Sequence, residues 1–188
     1  MSTTTPGQIK NFALSQRIRR AVWNLSYNIL IKWTPRPCHA WRAFVLRRFG
    51  ARLGKNCHIY SHARIWAPWN LVCHDDAAIA DDAIIYNMGE IVIGARSIIS
   101  QGAHICAGSH DYTDPDFNLI TKPIVIGADV WICAECFIHP GVTIGDGAVI
   151  GARSVVTKDM PGWMVCAGHP CIPMKPRVLR QIASEKAP

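Results

Sequence analysis

The sequence predicts an all-β core, a parallel β-helix of about five triangular coils, with an N-terminal helical arm and a short C-terminal tail. Three observations carry this. Apolar residues recur every six positions, at Leu53, Ile59 and Ile65, at Cys73, Ile79 and Ile85, at Ile93, Ile99 and Ile105, and without a break at Ile126, Ile132, Ile138, Ile144, Ile150 and Val156. Of these 15 positions 14 are Leu, Ile or Val, against 43 such residues in all 188, so composition alone does not produce the period. Small residues stand four places further on, at Ala63, Ala77, Ala83, Ser97, Ala103, Ser109, Cys136, Ala148 and Ser154, and glycine often follows directly, at Gly54, Gly94, Gly127, Gly145 and Gly151. Finally, the spacing grows to eight before Cys73 and Ile93 and to 21 before Ile126, and grouping the repeats in threes puts every interruption at the same corner.

A period of six fits neither a helix, at about 3.6, nor an alternating strand, at about 2. It fits a coil with flat sides, one residue per side pointing to the axis and a small residue near each bend. Glycine is expected to supply the unusual backbone angles of the corners.

Taken in chain order, residues 1–50 form the arm. Residues 9–33 read as a helix, because Ile18, Val22, Leu25 and Ile29 recur at spacings of 4, 3 and 4. Pro35 and Pro37 break it, and residues 39–49 read as a second short helix. Ile18, Val22, Leu25, Ile29, Trp41 and Phe44 are expected to cover the first coil or a neighbouring subunit. Residues 51–160 hold the coils, and the longest insertion, roughly residues 111–125, marks the binding face, since insertions in repeat arrays gather there. The Met160–Pro161 pair ends the last coil, and residues 161–188 form a Pro-rich tail with a short basic helix around 178–183.

Charge is divided sharply. Residues 1–74 hold 12 Lys/Arg and no Asp or Glu, whereas residues 75–188 hold 8 Lys/Arg against 13 Asp/Glu. A uniformly basic domain would point to nucleic acid; a basic arm on an acidic body points to a local anionic partner. Trp23, Tyr27, Trp33 and Trp41 lie among those charges, a mixture suited to peripheral contact with an anionic membrane surface. The longest uncharged stretch of the arm, residues 21–31, is too short to span a bilayer, and no signal peptide is legible, so a cytoplasmic protein is expected, its arm suited to peripheral contact at the inner face of the membrane. The eight cysteines form no paired CxxC set; Cys133 and Cys136 are a lone CxxC, and small semi-apolar core residues account for the rest.

This repeat resembles the left-handed β-helix of the hexapeptide acyltransferases. HPGVTIGDGAVIGARSVVTKDMPGW, residues 139–163, is similar to that family's C-terminal signature, and RFGARLGKNCHI, WAPWNL, IYNMGEIVIG, ISQGAHICAGSHDYTDPDFNLITKPIVIG and VWICA resemble the sugar O-acetyltransferases assigned to colanic acid biosynthesis. The resemblance covers most of residues 40–170. It implies the left hand of the coil, a homotrimer with active sites between subunits, and transfer of acetyl from acetyl-CoA to a sugar hydroxyl in exopolysaccharide assembly.

Acyl transfer to a hydroxyl needs a base, oxyanion donors and a slot for the acyl carrier. The resemblance makes His110, in GSHDY at the mouth of the long corner loop, the catalytic base, and an imidazole titrating near about 6.5 suits that task. It gives Asn87 and Trp131 to the acceptor, and Ala134, Ala152, Thr157, Lys158 and Lys175 to coenzyme A. Where relatives often carry a basic residue in the tail this chain has Ile172, with Arg177 or Arg180 to compensate. No metal is expected. The alternatives are a zinc enzyme like the γ-class carbonic anhydrases, for which His104 and His110 are the prompt, and a non-catalytic trimeric scaffold.

Overall fold

The computed structural model describes residues 8–9 and 14–179. Its core is the parallel β-helix that the hexapeptide period predicts, with three flat faces of short strands and the left hand that the resemblance implies. The first face stacks Arg52–Leu53, Leu71–Cys73, Ile91–Ile93, Ile124–Ile126 and Thr143–Ile144. The second stacks His58–Ile59, Ala78–Ile79, Ile98–Ile99, Trp131–Ile132 and Val149–Ile150, and the third Arg64–Ile65, Ile84–Tyr86, His104–Cys106, Phe137–Ile138 and Val155–Val156. Register keeps equivalent repeats in line, Ile85 beside Ile105 and Ile105 beside Ile138. All the periodic apolar residues are buried except Leu53, which lies half-buried at the first coil.

Two features of the coil depart from expectation. The corner glycines are needed for space, not for backbone angle. A Cβ on Gly94 would stand 2.3 Å from the carbonyl of Gly127, and one on Gly145 would stand 2.4 Å from the nitrogen of Gly162, both backbone atoms of the next turn. Positive φ falls instead three residues after the inward position, on Asn56, Asp76, Asp82, Arg96, Asp129, Glu135 and Arg153 as well as on Gly102 and Gly147. The small residues four places on are buried, save Ser109, where the chain has already left the prism.

The coil also runs on past residue 160. Met160 bridges to Ile144, and Met164–Gly168 adds to the second face with Cys166 beside Ile150, so five complete coils are followed by two sides of a sixth. Met160 and Cys166 keep the six-residue spacing, but they are offset from Val156 by four and neither is Leu, Ile or Val, which hides them from the period. Cys171–Pro176 then folds back antiparallel on Met164–Gly168. Of the basic helix expected around 178–183, Val178 and Leu179 are not helical, and the remainder lies outside the described residues.

In the arm, helix α1 spans Leu14–Leu30 and helix α2 spans His39–Arg48. Gln8–Ile9, expected as helix at Ile9, is a strand. The first coil is covered by Trp23, Ile31, Val45 and Leu46, so of the two covers expected of Ile18, Val22, Leu25, Ile29, Trp41 and Phe44, the first coil is not the one they make. The Trp23 indole donates to the Ile65 carbonyl at 2.8 Å and the Tyr27 hydroxyl to that of Ser61 at 3.0 Å, which turns Ile18, Val22, Leu25 and Ile29 to the outside. Trp41 and Phe44 are likewise exposed. Arg42 is fully buried without a carboxylate partner: its Nε donates to the carbonyl of Ile59, its Nη1 to Thr34 and Pro35, and its Nη2 to the carbonyl of Arg36. Four oxygens thus replace the water that a guanidinium loses on burial.

Candidate active site

The long insertion leaves the corner between the third and first faces as a β-hairpin. Gly108–His110 pairs antiparallel with Leu119–Thr121, His110 opposite Leu119, and Gln8–Ile9 adds a third strand to the far edge of Leu119–Thr121. His110 is exposed on this hairpin. Its Nδ1 lies 2.5 Å from the Phe117 carbonyl. A carbonyl only accepts, so Nδ1 carries the proton and Nε2 presents its lone pair outward. Phe117 has φ +47°, which belongs to the turn that delivers this carbonyl.

Asp111 and Asp114 do not orient the imidazole. Asp111 accepts from the amide and hydroxyl of Thr113, which hold its carboxyl below the usual range, and Asp114 accepts from the Asp116 amide and the Asn118 side chain. They fasten the hairpin turn. The orienting group, a backbone oxygen, leaves no mark in a sequence, and the spacing of GSHDY to Phe117 does not announce it. Cys106, the nearest thiol in sequence, donates to the Gly108 carbonyl at 3.2 Å, and burial pushes its pKa up, so it stays a thiol at neutral pH.

Asn87 stands at the same corner one coil earlier. It is completely buried, and its amide clamps one residue of the coil below: the Ala67 amide donates to Oδ1 at 2.9 Å, and Nδ2 donates to the Ala67 carbonyl at 2.5 Å. A direct contact between that side chain and an acceptor would require the clamp to open. Thr157 and Lys158, both exposed, follow Val156 on this same edge, two coils beyond His110.

The other expected residues lie elsewhere. Trp131 is exposed on the second face, which is opposite this corner in a triangular section, and its indole donates to Ser100 Oγ at 3.0 Å. Ala134 and Ala152 are stacked at the corner between the second and third faces, where the Arg153 amide donates to the Ala134 carbonyl at 2.9 Å. Lys175 is exposed on the final antiparallel strand, opposite Val165. The expected residues therefore fall into two separate groups: His110, Thr157 and Lys158 on one edge, and Trp131, Ala134, Ala152 and Lys175 on the second face, its other corner and the strand that follows. Arg177, expected to compensate for Ile172, donates from Nη1 to the carbonyls of Asp129 and Gly147 and so ties down the end of the coil. Arg180 lies outside the described residues.

His104 takes no part with His110. It sits on the third face between the rings of Tyr86 and Phe137, where burial lowers its pKa. Among the described residues no three His, Cys, Asp or Glu side chains converge as a metal site.

Residues 123–158 match the family model described as bacterial transferase hexapeptide (six repeats). Over 169 residues, 90% of this chain and 93% of the relative, the sequence is 43% identical to a protein of Escherichia coli strain K12 that bears the name "Putative colanic acid biosynthesis acetyltransferase WcaF". The fold is similar to that of a maltose O-acetyltransferase from Clostridium difficile 630, with TM-score 0.80, 28% identity, and 87% of this chain and 89% of that one covered. It is also similar to a hexapeptide-repeat acetyltransferase of Vibrio cholerae solved with acetyl coenzyme A, with TM-score 0.80, 25% identity, and 88% and 91% coverage.

Proposed function

Because the chain belongs to the hexapeptide-repeat acetyltransferases, we propose that it transfers acetyl from acetyl-CoA to a sugar hydroxyl in the assembly of an exopolysaccharide like colanic acid. The observation that carries the mechanism is the bond from His110 Nδ1 to the Phe117 carbonyl, which leaves Nε2 as a base on an exposed hairpin. The acceptor hydroxyl gives its proton to Nε2 while its oxygen attacks the thioester carbonyl carbon. The C–S bond of the tetrahedral intermediate then breaks, and the departing thiolate takes the proton back from the imidazolium. No acyl-enzyme forms, in keeping with the half-buried Cys106 thiol, whose pKa burial pushes up.

Homotrimer assembly completes the site. The edge with His110, Thr157 and Lys158 meets a neighbour's second face, where Trp131 walls the acceptor pocket, Ala134 and Ala152 line the pantetheine slot, and Lys175 meets phosphate. Asn87 shapes the acceptor side by holding the corner beneath the hairpin. The enzyme works in the cytoplasm, its arm in peripheral contact with the inner, anionic face of the membrane. A coenzyme A release assay with free, nucleotide-linked and lipid-linked sugars tests the reading: release with one of these forms is expected, and none with any of them overturns it.

A further inference from the structure

Helix α1 carries its apolar stripe away from the protein. On a wheel of about 100° per residue, Leu14, Ile18, Val22, Leu25 and Ile29 fall within an arc of about 80°, and the residues that touch the prism, Trp23 and Tyr27, lie on the opposite side. All five stripe residues are exposed, Leu25 and Ile29 by 63% and 65%. More apolar surface is exposed beyond the end of the helix. The Trp41 indole donates to the Leu30 carbonyl at 2.8 Å, the rings of Trp41 and Phe44 meet tilted with centroids 5.8 Å apart, and Trp33 is 79% exposed. Nothing among the described residues covers this surface, which runs for roughly 25 Å along α1 alone.

Charge identifies the occupant. Arg17 and Arg48 are exposed on the same arm, where Arg36 pairs with Asp81 at 3.5 Å and Arg47 donates to the carbonyls of Leu53 and Gly54, and no Asp or Glu occurs before residue 75. A second copy seated symmetrically on this face would set the same cations against one another with no carboxylate of the arm between them. An anionic bilayer supplies both an apolar layer for the stripe and negative headgroups for its flanks, and indole rings favour that boundary. No helix here is long and apolar enough to cross a membrane among the described residues. We infer that the outer face of α1, extended by Trp33, Trp41 and Phe44, lies flat in the headgroup layer of an anionic membrane. The inference deepens the membrane contact of the proposed function, but it does not depend on the acetyl-transfer chemistry. It also places the reacting edge close to lipid-borne acceptors, because Gln8–Ile9, four residues ahead of α1, pairs with the hairpin of His110.

Flotation of the full-length protein with phosphatidylcholine vesicles, with and without phosphatidylglycerol, tests it. Binding to the anionic vesicles is expected, weakened by high salt, since each basic group near such a surface is worth about fivefold in affinity. The triple variant Ile18→Ser, Leu25→Ser and Ile29→Ser should lose binding by at least about tenfold. It should keep the wild-type sedimentation coefficient, circular dichroism and acetyl transfer to a water-soluble acceptor. Failure of the wild type to bind, equal binding to neutral vesicles at any salt, or full binding by the triple variant overturns the inference. A triple variant that falls to a smaller assembly also overturns it, by assigning the stripe to a subunit contact. Loss of acetyl transfer by the wild type would instead count against the proposed chemistry and leave the lipid result standing.

Discussion

His110 and Asn87 share a corner, yet their side chains face opposite ways. Histidine is exposed and polarised by one carbonyl; asparagine is sealed inside and bonded at both ends of its amide. Different outcomes follow for their removal. His110→Ala should lower turnover by roughly 10²–10⁴-fold with coenzyme A affinity nearly unchanged, measured by steady-state kinetics beside calorimetric binding. Asn87→Ala leaves the Ala67 amide buried without a partner, at a cost of about 1–3 kcal/mol, while the Ala67 carbonyl keeps the bond it accepts from the Asn70 amide. Thermal unfolding should therefore register Asn87→Ala as a clear loss of stability. A lowered acceptor affinity with unchanged stability would instead support the direct acceptor role that the resemblance implies.

At the scale of the coil, the glycines and the positive-φ residues divide the work of a corner between them. Gly54, Gly94, Gly127 and Gly145 occur where the backbone of the next turn comes too close for any side chain. Arg96 and Asp129, by contrast, hold left-handed angles and also pair with each other, the Arg96 Nε 2.7 Å from Asp129. Gly94→Ala should thus force adjacent coils apart and cost about 1–3 kcal/mol or more, whereas Arg96→Gly, which relieves backbone strain and loses only an exposed ion pair, should be close to neutral. Chemical denaturation of the two variants checks the contrast, which reverses if corner angle rather than space is the reason for glycine at position 94. The arm follows a similar logic. The 4-3-4 spacing on α1 is a true amphipathic signal, but two aromatic hydrogen bonds, from Trp23 and Tyr27, decide which side meets the prism.

For the molecule as a whole, the triangular section separates the edge of His110 from the face of Trp131, and the proposed homotrimer would bring the two together between subunits. On that proposal subunits carrying His110→Ala and subunits carrying Trp131→Ala each keep one intact half of the site, so mixed trimers should regain activity that neither variant has alone. Trp131 suits this test better than Lys158, because Lys158 shares the edge of His110. Activity of co-purified mixed assemblies with distinct affinity tags measures the outcome, and no recovery in verified hetero-trimers would mean that the site is contained in one chain.

The sequence by itself determined the prism, its three-sidedness, the corner where the hairpin leaves and the neighbourhood of His110, because each of these is written in a repeat of identical spacing. Burial of Ile59 through Val156 follows from that period alone. Only the tertiary structure decided the rest. Met160 and Cys166 become a sixth turn by pairing with strands already in place, Asn87 turns inward because Ala67 offers it both a donor and an acceptor, and His110 is held by the oxygen of Phe117. The stripe of α1 points outward because the stronger polar anchors lie on its other side. Periodicity reports which residues share a face, since that depends only on local geometry. Which partner the face meets depends on hydrogen bonds to backbone atoms distant in the chain, and those atoms are the same in every residue type.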